Sequence, residues 1–136
     1  MARPLRVLLI EDSDFDATLL LRILGKGGYQ LDYERVETAG QLQQSLLREW
    51  DLVIADYNLP QFSAPEALEM VKKTGRDIPF IIVSGAIGET TAVSAMKAGA
   101  HDYLMKGSLA RLLPVIDREL READNRAGKR EATEAL

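Results

Sequence analysis

The chain predicts an α/β fold: an open, doubly wound sheet of five parallel strands in the order 2-1-3-4-5, built as (βα)5. Three observations predict it. Five short apolar runs are spread along 136 residues, segments of helical periodicity separate them, and turn-forming residues fall where one pattern gives way to the other. Strands alternating with helices imply parallel pairing through crossovers. Strands that are almost wholly apolar imply a sheet covered on both faces. Five units are too few for an eight-fold barrel.

The elements follow in order. Strand 1 is Arg6 to Ile10, and Phe15, Leu19 and Ile23, joined by Leu20 and Leu24, form the first helical stripe. Gly25, Gly27 and Gly28 end that helix. Strand 2, Leu31 to Val36, alternates more than the others. Thr38 with Gln41 reads as a capping box for helix 2, whose stripe is Leu42, Leu46 and Leu47 and whose end packs Trp50. Leu52 to Ala55 is strand 3. Ser63 with Glu66 caps helix 3 (Ala64, Leu68, Val71), and Gly75 with Pro79 closes it. Phe80 to Val83 is strand 4, helix 4 carries Ala92, Ala95 and Met96, and Gly99 ends it. Asp102 to Met105 is strand 5. After a turn at Gly107-Ser108 a last helix starts near Leu113, with Pro114 in its first turn and Ile116 and Leu120 on its stripe. Residues 1–122 thus form one domain, and 123–136 read as a polar helical extension or disordered tail.

Composition narrows the function. The hydrophobic share of 46% and charged share of 28% are those of an ordinary globular protein, long enough for a core of its own. No run approaches the roughly 20 apolar residues of a membrane span. No signal peptide is legible, so a cytoplasmic location without membrane contact is expected. Cysteine is absent, which excludes disulfides and thiolate catalysis. A net charge of −4 without a basic block argues against direct nucleic-acid binding.

In such a sheet the functional crevice lies beyond the carboxyl ends of the strands, at the switch point between strands 1 and 3. Strand 1 runs into Glu11-Asp12, strand 3 into Asp56, strand 4 into Ser84 with Gly85 behind it, and strand 5 into Lys106. Adjacent strands lie about 4.8 Å apart, so the three carboxylates crowd and repel one another. A divalent cation relieves that conflict, and all-oxygen ligands favour Mg²⁺. Lys106, from a strand about 10 Å away, can bring its ammonium beside Asp56. Asp56 can then serve as nucleophile and become an aspartyl phosphate. Lys106 and the metal would offset charge on the transferred group, and the Ser84 hydroxyl could hydrogen-bond a phosphoryl oxygen.

Glu11-Asp12 after Val-Leu-Leu-Ile, Asp56 in Asp-Tyr-Asn-Leu-Pro, Ser84 in Ile-Ile-Val-Ser-Gly and Lys106 in His-Asp-Tyr-Leu-Met-Lys resemble the response-regulator receiver pattern of two-component signalling, with its flavodoxin-like, chemotaxis-regulator-like fold. The resemblance spans residues 5 to 122. It implies that Glu11 and Asp12 are the acid pair at the Mg²⁺ and that Asn58 offers it a backbone carbonyl. It implies a phosphohistidine donor on a sensor histidine kinase or a histidine phosphotransfer protein. Ser84 and Tyr103 match the pair that rearranges on phosphorylation, remodelling the face of helix 4, strand 5 and helix 5 for a downstream protein. No metabolic reaction is implied, only self-catalysed phosphotransfer and autodephosphorylation. With no output domain legible after the sheet, action by docking as a single-domain regulator is expected, or the chain is part of a longer one.

Two positions depart from the pattern. Gly107 follows Lys106 where the family has proline, and a cis bond there would cost about 2.5–4 kcal/mol; Pro60-Gln61 replaces Pro-Gly, with Pro65 early in helix 3. Each site residue also has a plainer reading. Glu11-Asp12 could be an acidic helix start, Asp56 a strand-end cap, Ser84-Gly85 a tight turn, Lys106 a surface lysine and Tyr103 a half-buried edge aromatic. Asp14 and Asp16 read as solvated or capping, and His101 as a solvated loop residue. The competing functions are a pseudo-receiver binding module independent of phosphorylation and an aspartyl-nucleophile phosphohydrolase. The hydrolase fits less well, because Asn58 stands where a second acid would be.

Overall fold

The computed structural model describes residues 3–85 and 88–134, with side chains of the last helix described as far as Glu131. Ala135 and Leu136, the end of the polar segment, lie outside the described residues. The elements are β1 (Arg3–Ile10), α1 (Asp14–Lys26), β2 (Tyr29–Val36), α2 (Ala39–Ser45), β3 (Leu52–Ala55), α3 (Ala64–Lys73), β4 (Phe80–Ser84), α4 (Glu89–Lys97), β5 (Asp102–Met105) and α5 (Leu112–Glu134), with a 3₁₀ segment (Lys106–Arg111) before α5. The sheet is parallel throughout, in the order β2-β1-β3-β4-β5. The expected topology is the observed one. β1 and β2 begin earlier than their densest apolar runs, because the rungs Arg3↔Tyr29 to Leu5↔Leu31 extend the ladder toward the amino ends.

Strand alternation sorts the core into two halves. Leu8, Ile10, Val53, Ala55, Phe80 and Ile82 pack under Leu42 of α2, Leu68 of α3 and Ala95 of α4. Val7, Leu9, Ile54, Ile81, Val83 and Leu104 pack under Leu20 of α1 and Ile116 of α5. Period two in the strands therefore decides which helix layer each side chain meets.

Three of the five expected helical stripes each have one member exposed. In α1 the fully buried residues are Ala17, Leu20 and Leu24, while Phe15 is 76% exposed. Ala17 joins Leu20 and Leu24 on the inward face, and Phe15 lies outside it. α2 ends at Ser45, so Leu47 falls beyond it and is 82% exposed. Met96 is 38% exposed. The Thr38–Gln41 capping box forms in full, and Ser63 accepts the Glu66 N–H. Pro65 fits the first turn of α3, where its missing N–H has no partner to lose. Gly28, Gly75 and Gly99 all take positive φ at helix exits, a region costly for residues with a Cβ.

α5 runs without interruption through residue 122. Arg126 holds Asp77 by two hydrogen bonds, of 2.7 and 3.2 Å, so the polar segment begins inside a helix tied to the sheet.

His101 corrects the reading of a solvated loop residue. Its N–H donates to the Phe80 carbonyl, and its Nδ1 accepts the Phe80 N–H at 2.9 Å. The side chain thereby finishes the edge of β4 one residue before β5 begins. Accepting that bond requires an unprotonated Nδ1. Burial, with the Arg126 charge, holds the imidazole below its ordinary range, against the opposing charges of Asp77 and Glu122. His101→Ala should cost about 1–3 kcal/mol by stranding the Phe80 N–H, read as a lower urea midpoint. Because the folded-state value is depressed, this stabilisation is present above about pH 6.5 and lost as pH falls through the lowered value. Wild type should lose more stability between about pH 7.5 and 5 than His101→Ala does.

Candidate functional site

Parity explains how the site assembles. Ile10, Ala55 and Met105 are the last residues of β1, β3 and β5, and Ile10 and Ala55 face α2–α4. Leu104, one residue before Met105, faces α1 and α5, so Met105 turns the opposite way. The next residue on each strand, Glu11, Asp56 and Lys106, therefore turns toward the α1/α5 side. Hydrogen bonds from the Glu11 N–H to the Val36 carbonyl (3.1 Å) and from the Asp56 N–H to the Ile10 carbonyl (2.8 Å) keep these ends in register.

Lys106 Nζ lies 3.1 Å from Asp56 Oδ2, 3.2 Å from Glu11 Oε2 and 2.6 Å from Asp16 Oδ2. Glu11 is 2% exposed and Asp56 8%, whereas Asp12 is open to solvent. Asp56 Oδ1 faces the Asn58 N–H at 3.4 Å, and Glu11 Oε1 accepts the Ser13 N–H at 3.1 Å. Glu11, Asp12 and Asp56 each offer an oxygen within 4.8 Å of the others. Three hard oxygen donors with no imidazole or thiolate suit an Mg²⁺-like ion, so the residues present fit that metal.

Electrostatics mark the same place. Burial pushes the Glu11 carboxyl up to about 7; the Ser13 N–H opposes this, the Asp56 charge adds to it, and Lys106 opposes it again. Burial alone would lower Lys106, but hydrogen bonds to Asp16 and Asp56 and the charges of Asp56 and Glu11 outweigh it, so the net shift is upward.

Ser84 and Tyr103 stand on the other face. Ser84 is the last residue of β4, 1% exposed, two positions on from Ile82 and so in the same phase. Tyr103, opposite Ile82 in the ladder, is half-buried against the α2–α4 cluster. Gly85 follows Ser84 and is exposed, and Asn58 is exposed and bridges Ser63. All described peptide bonds are trans, so Lys106–Gly107 is trans, and the chain passes straight into the 3₁₀ segment.

Asp16 is the residue that sequence reasoning missed. Its place near a helix start suggests a solvated or capping residue, yet it makes the shortest contact to Lys106. The signal was present: Asp16 is one helical turn before Leu20 and two before Leu24, on the buried stripe of α1.

The fold and this rim define a class: five-stranded doubly wound domains with an acidic pocket at the switch point. Residues 7–117 match the response regulator receiver domain model, and the chain belongs to that family. It is 32% identical over 127 residues to the DNA-binding transcriptional regulator NtrC of Rhizobium meliloti, covering 92% of this chain and 26% of that one. It is 27% identical over 116 residues to the chemotaxis protein CheY of Bacillus subtilis, covering 85% of this chain and 97% of that protein. The chain thus spans about a quarter of the regulator's length and nearly all of the chemotaxis protein's. Among solved structures, the signal receiver domain of a putative Luxo repressor protein from Vibrio parahaemolyticus superposes with a TM-score of 0.81 at 28% identity, covering 91% of this chain and 95% of that one. Receiver domains are signalling modules switched by phosphorylation, rather than enzymes with a metabolic substrate.

Proposed function

We propose that Asp56 accepts a phosphoryl group from a phosphohistidine on a sensor kinase or phosphotransfer protein, and that the domain then docks on a downstream protein. One observation carries this: Lys106 Nζ reaches Asp56 at 3.1 Å within a cluster of three oxygen-donor carboxylates. In this reading Glu11, Asp12, Asp56 and the Asn58 carbonyl hold Mg²⁺, which would offset charge on the phosphoryl oxygens. The buried Asp56 is positioned by the β3 ladder, and Lys106 supplies a fixed positive charge where negative charge develops. Ser84 would donate its hydroxyl to the phosphoryl group from the α4 side. Tyr103 in the same phase would carry the change to the face of α4, β5 and α5.

Residues 1–122 serve as the receiver unit, with α5 extending beyond it as far as Glu134. We place the protein in the cytoplasm, acting without membrane or direct nucleic-acid contact. No described helix is long and apolar enough to cross a membrane. The solved relative described as the beryllofluoride-activated NtrC4 receiver domain dimer supports beryllofluoride as a probe.

The test is incubation with Mg²⁺ and acetyl phosphate, followed by mass. Wild type should gain one phosphoryl group, and Asp56→Asn none. A wild type that gains nothing favours a phosphorylation-independent binding module; repeated turnover of phosphate esters favours a hydrolase. Trp50 is a poor reporter of this event. It is buried at the amino-end rim of the sheet, two residues before β3, with its indole N–H on the Ser45 carbonyl.

A further inference from the structure

We propose that Asp16 is a positioning residue that restrains Lys106 and so slows phosphoryl capture by Asp56, an inference that rests on the receiver reading above. A lysine ammonium has three N–H donors and no acceptor. Here three carboxylates crowd it: it hydrogen-bonds Asp16 and Asp56 and contacts Glu11 at 3.2 Å. Two of the three N–H groups are thus committed to carboxylates, and a phosphoryl oxygen must compete with those carboxylates for Lys106.

The three differ in what else they do. Asp56 is the acceptor itself, and Glu11 belongs to the metal cluster. Asp16 lies outside that cluster and comes from α1, on the helix face that buries Leu20 and Leu24. At 2.6 Å its bond to Lys106 is the shortest of the three. A cavity of about 190 Å³ bounded by Asp16, Lys106, Leu20, Val83 and Leu109 adjoins the pair. The lysine arm therefore has room to move when the bond is broken.

Charge sets the direction. Three aspartates and Glu11 around one ammonium leave the pocket with a net negative charge. That favours a dication and disfavours an incoming phosphoryl group. In the capture step an Asp56 oxygen bonds to phosphorus while the bond from phosphorus to the donor's leaving atom breaks, a ring nitrogen in phosphohistidine or the bridging oxygen in acetyl phosphate. With acetyl phosphate the acetate leaves with that electron pair, and no proton is needed. Removing the Asp16 charge weakens its hold on Lys106 and lowers repulsion toward the transferred group, while weakening the pull on Mg²⁺.

Asp16→Asn keeps the shape and removes the charge. At saturating Mg²⁺, phosphorylation by acetyl phosphate should be on the order of threefold to tenfold faster, the effect of one partly screened charge. Mg²⁺ alone, titrated by amide shifts, should bind on the order of threefold more weakly. A purely structural role would not move these two in opposite senses. Asp14→Asn, next to the site but exposed, should change neither. An unchanged or slower phosphorylation of Asp16→Asn, with wild type phosphorylated normally, overturns the restraint alone. A wild type that takes no phosphoryl group on Asp56 overturns the receiver reading and the restraint together.

Discussion

Replacing Lys106 by methionine is expected to slow phosphoryl capture by Asp56 on the order of 10²–10³-fold, the cost of losing one preorganised charge donor. Methionine keeps much of the arm's length and apolar packing but none of its charge. Glu11, Asp16 and Asp56 would then face one another without their shared ammonium. The metal-free variant should accordingly be less stable than wild type, and Mg²⁺ should raise its thermal midpoint more. Initial rates by mass and melting curves with and without Mg²⁺ measure both effects. A Lys106→Met protein phosphorylated at the wild-type rate would mean that the ammonium only links the carboxylates.

The largest effect on stability is expected from Phe80→Ala. Phe80 is 0% exposed and the largest of the fully buried side chains, on a strand between β3 and β5. Its ring packs in the α2–α4 half of the core, and its N–H is taken by His101. Truncation removes the apolar contact and leaves a cavity in a neighbourhood of fixed strands, costing about 3–5 kcal/mol. Against a total of about 5–15 kcal/mol for a domain, that brings the fold close to melting at ordinary temperature. Phe15→Ala is the matched control. At 76% exposure its loss should change stability by less than about 0.5 kcal/mol. Urea midpoints of the two variants separate these cases, and a large loss at Phe15 would contradict the observed phase of α1.

The strand ends were legible because the strands are short, apolar and bounded by polar residues. Ile10 to Glu11, Ala55 to Asp56 and Met105 to Lys106 are abrupt changes, and topology brings such positions to one rim. The phase of α1 was harder to see. Phe15, Leu19 and Ile23 make a more hydrophobic stripe than Ala17, Leu20 and Leu24, yet the second stripe is the buried one. Asp16 and its hold on Lys106 followed from that phase. His101 was hidden for another reason: its role is to accept one backbone N–H from Phe80, a contact that spans 21 residues and leaves no periodic trace. Helix α5 continues past residue 122 because Arg126 finds Asp77 on the loop before β4, a pairing that composition does not reveal.

The most direct measurement is a crystal structure of the protein with Mg²⁺ and beryllofluoride. The account expects the beryllium bonded to an Asp56 carboxylate oxygen, the metal ligated by Glu11, Asp12 and Asp56, and Lys106 Nζ on a fluorine. Beryllofluoride bound elsewhere, or Lys106 directed away from Asp56 in that complex, would contradict it.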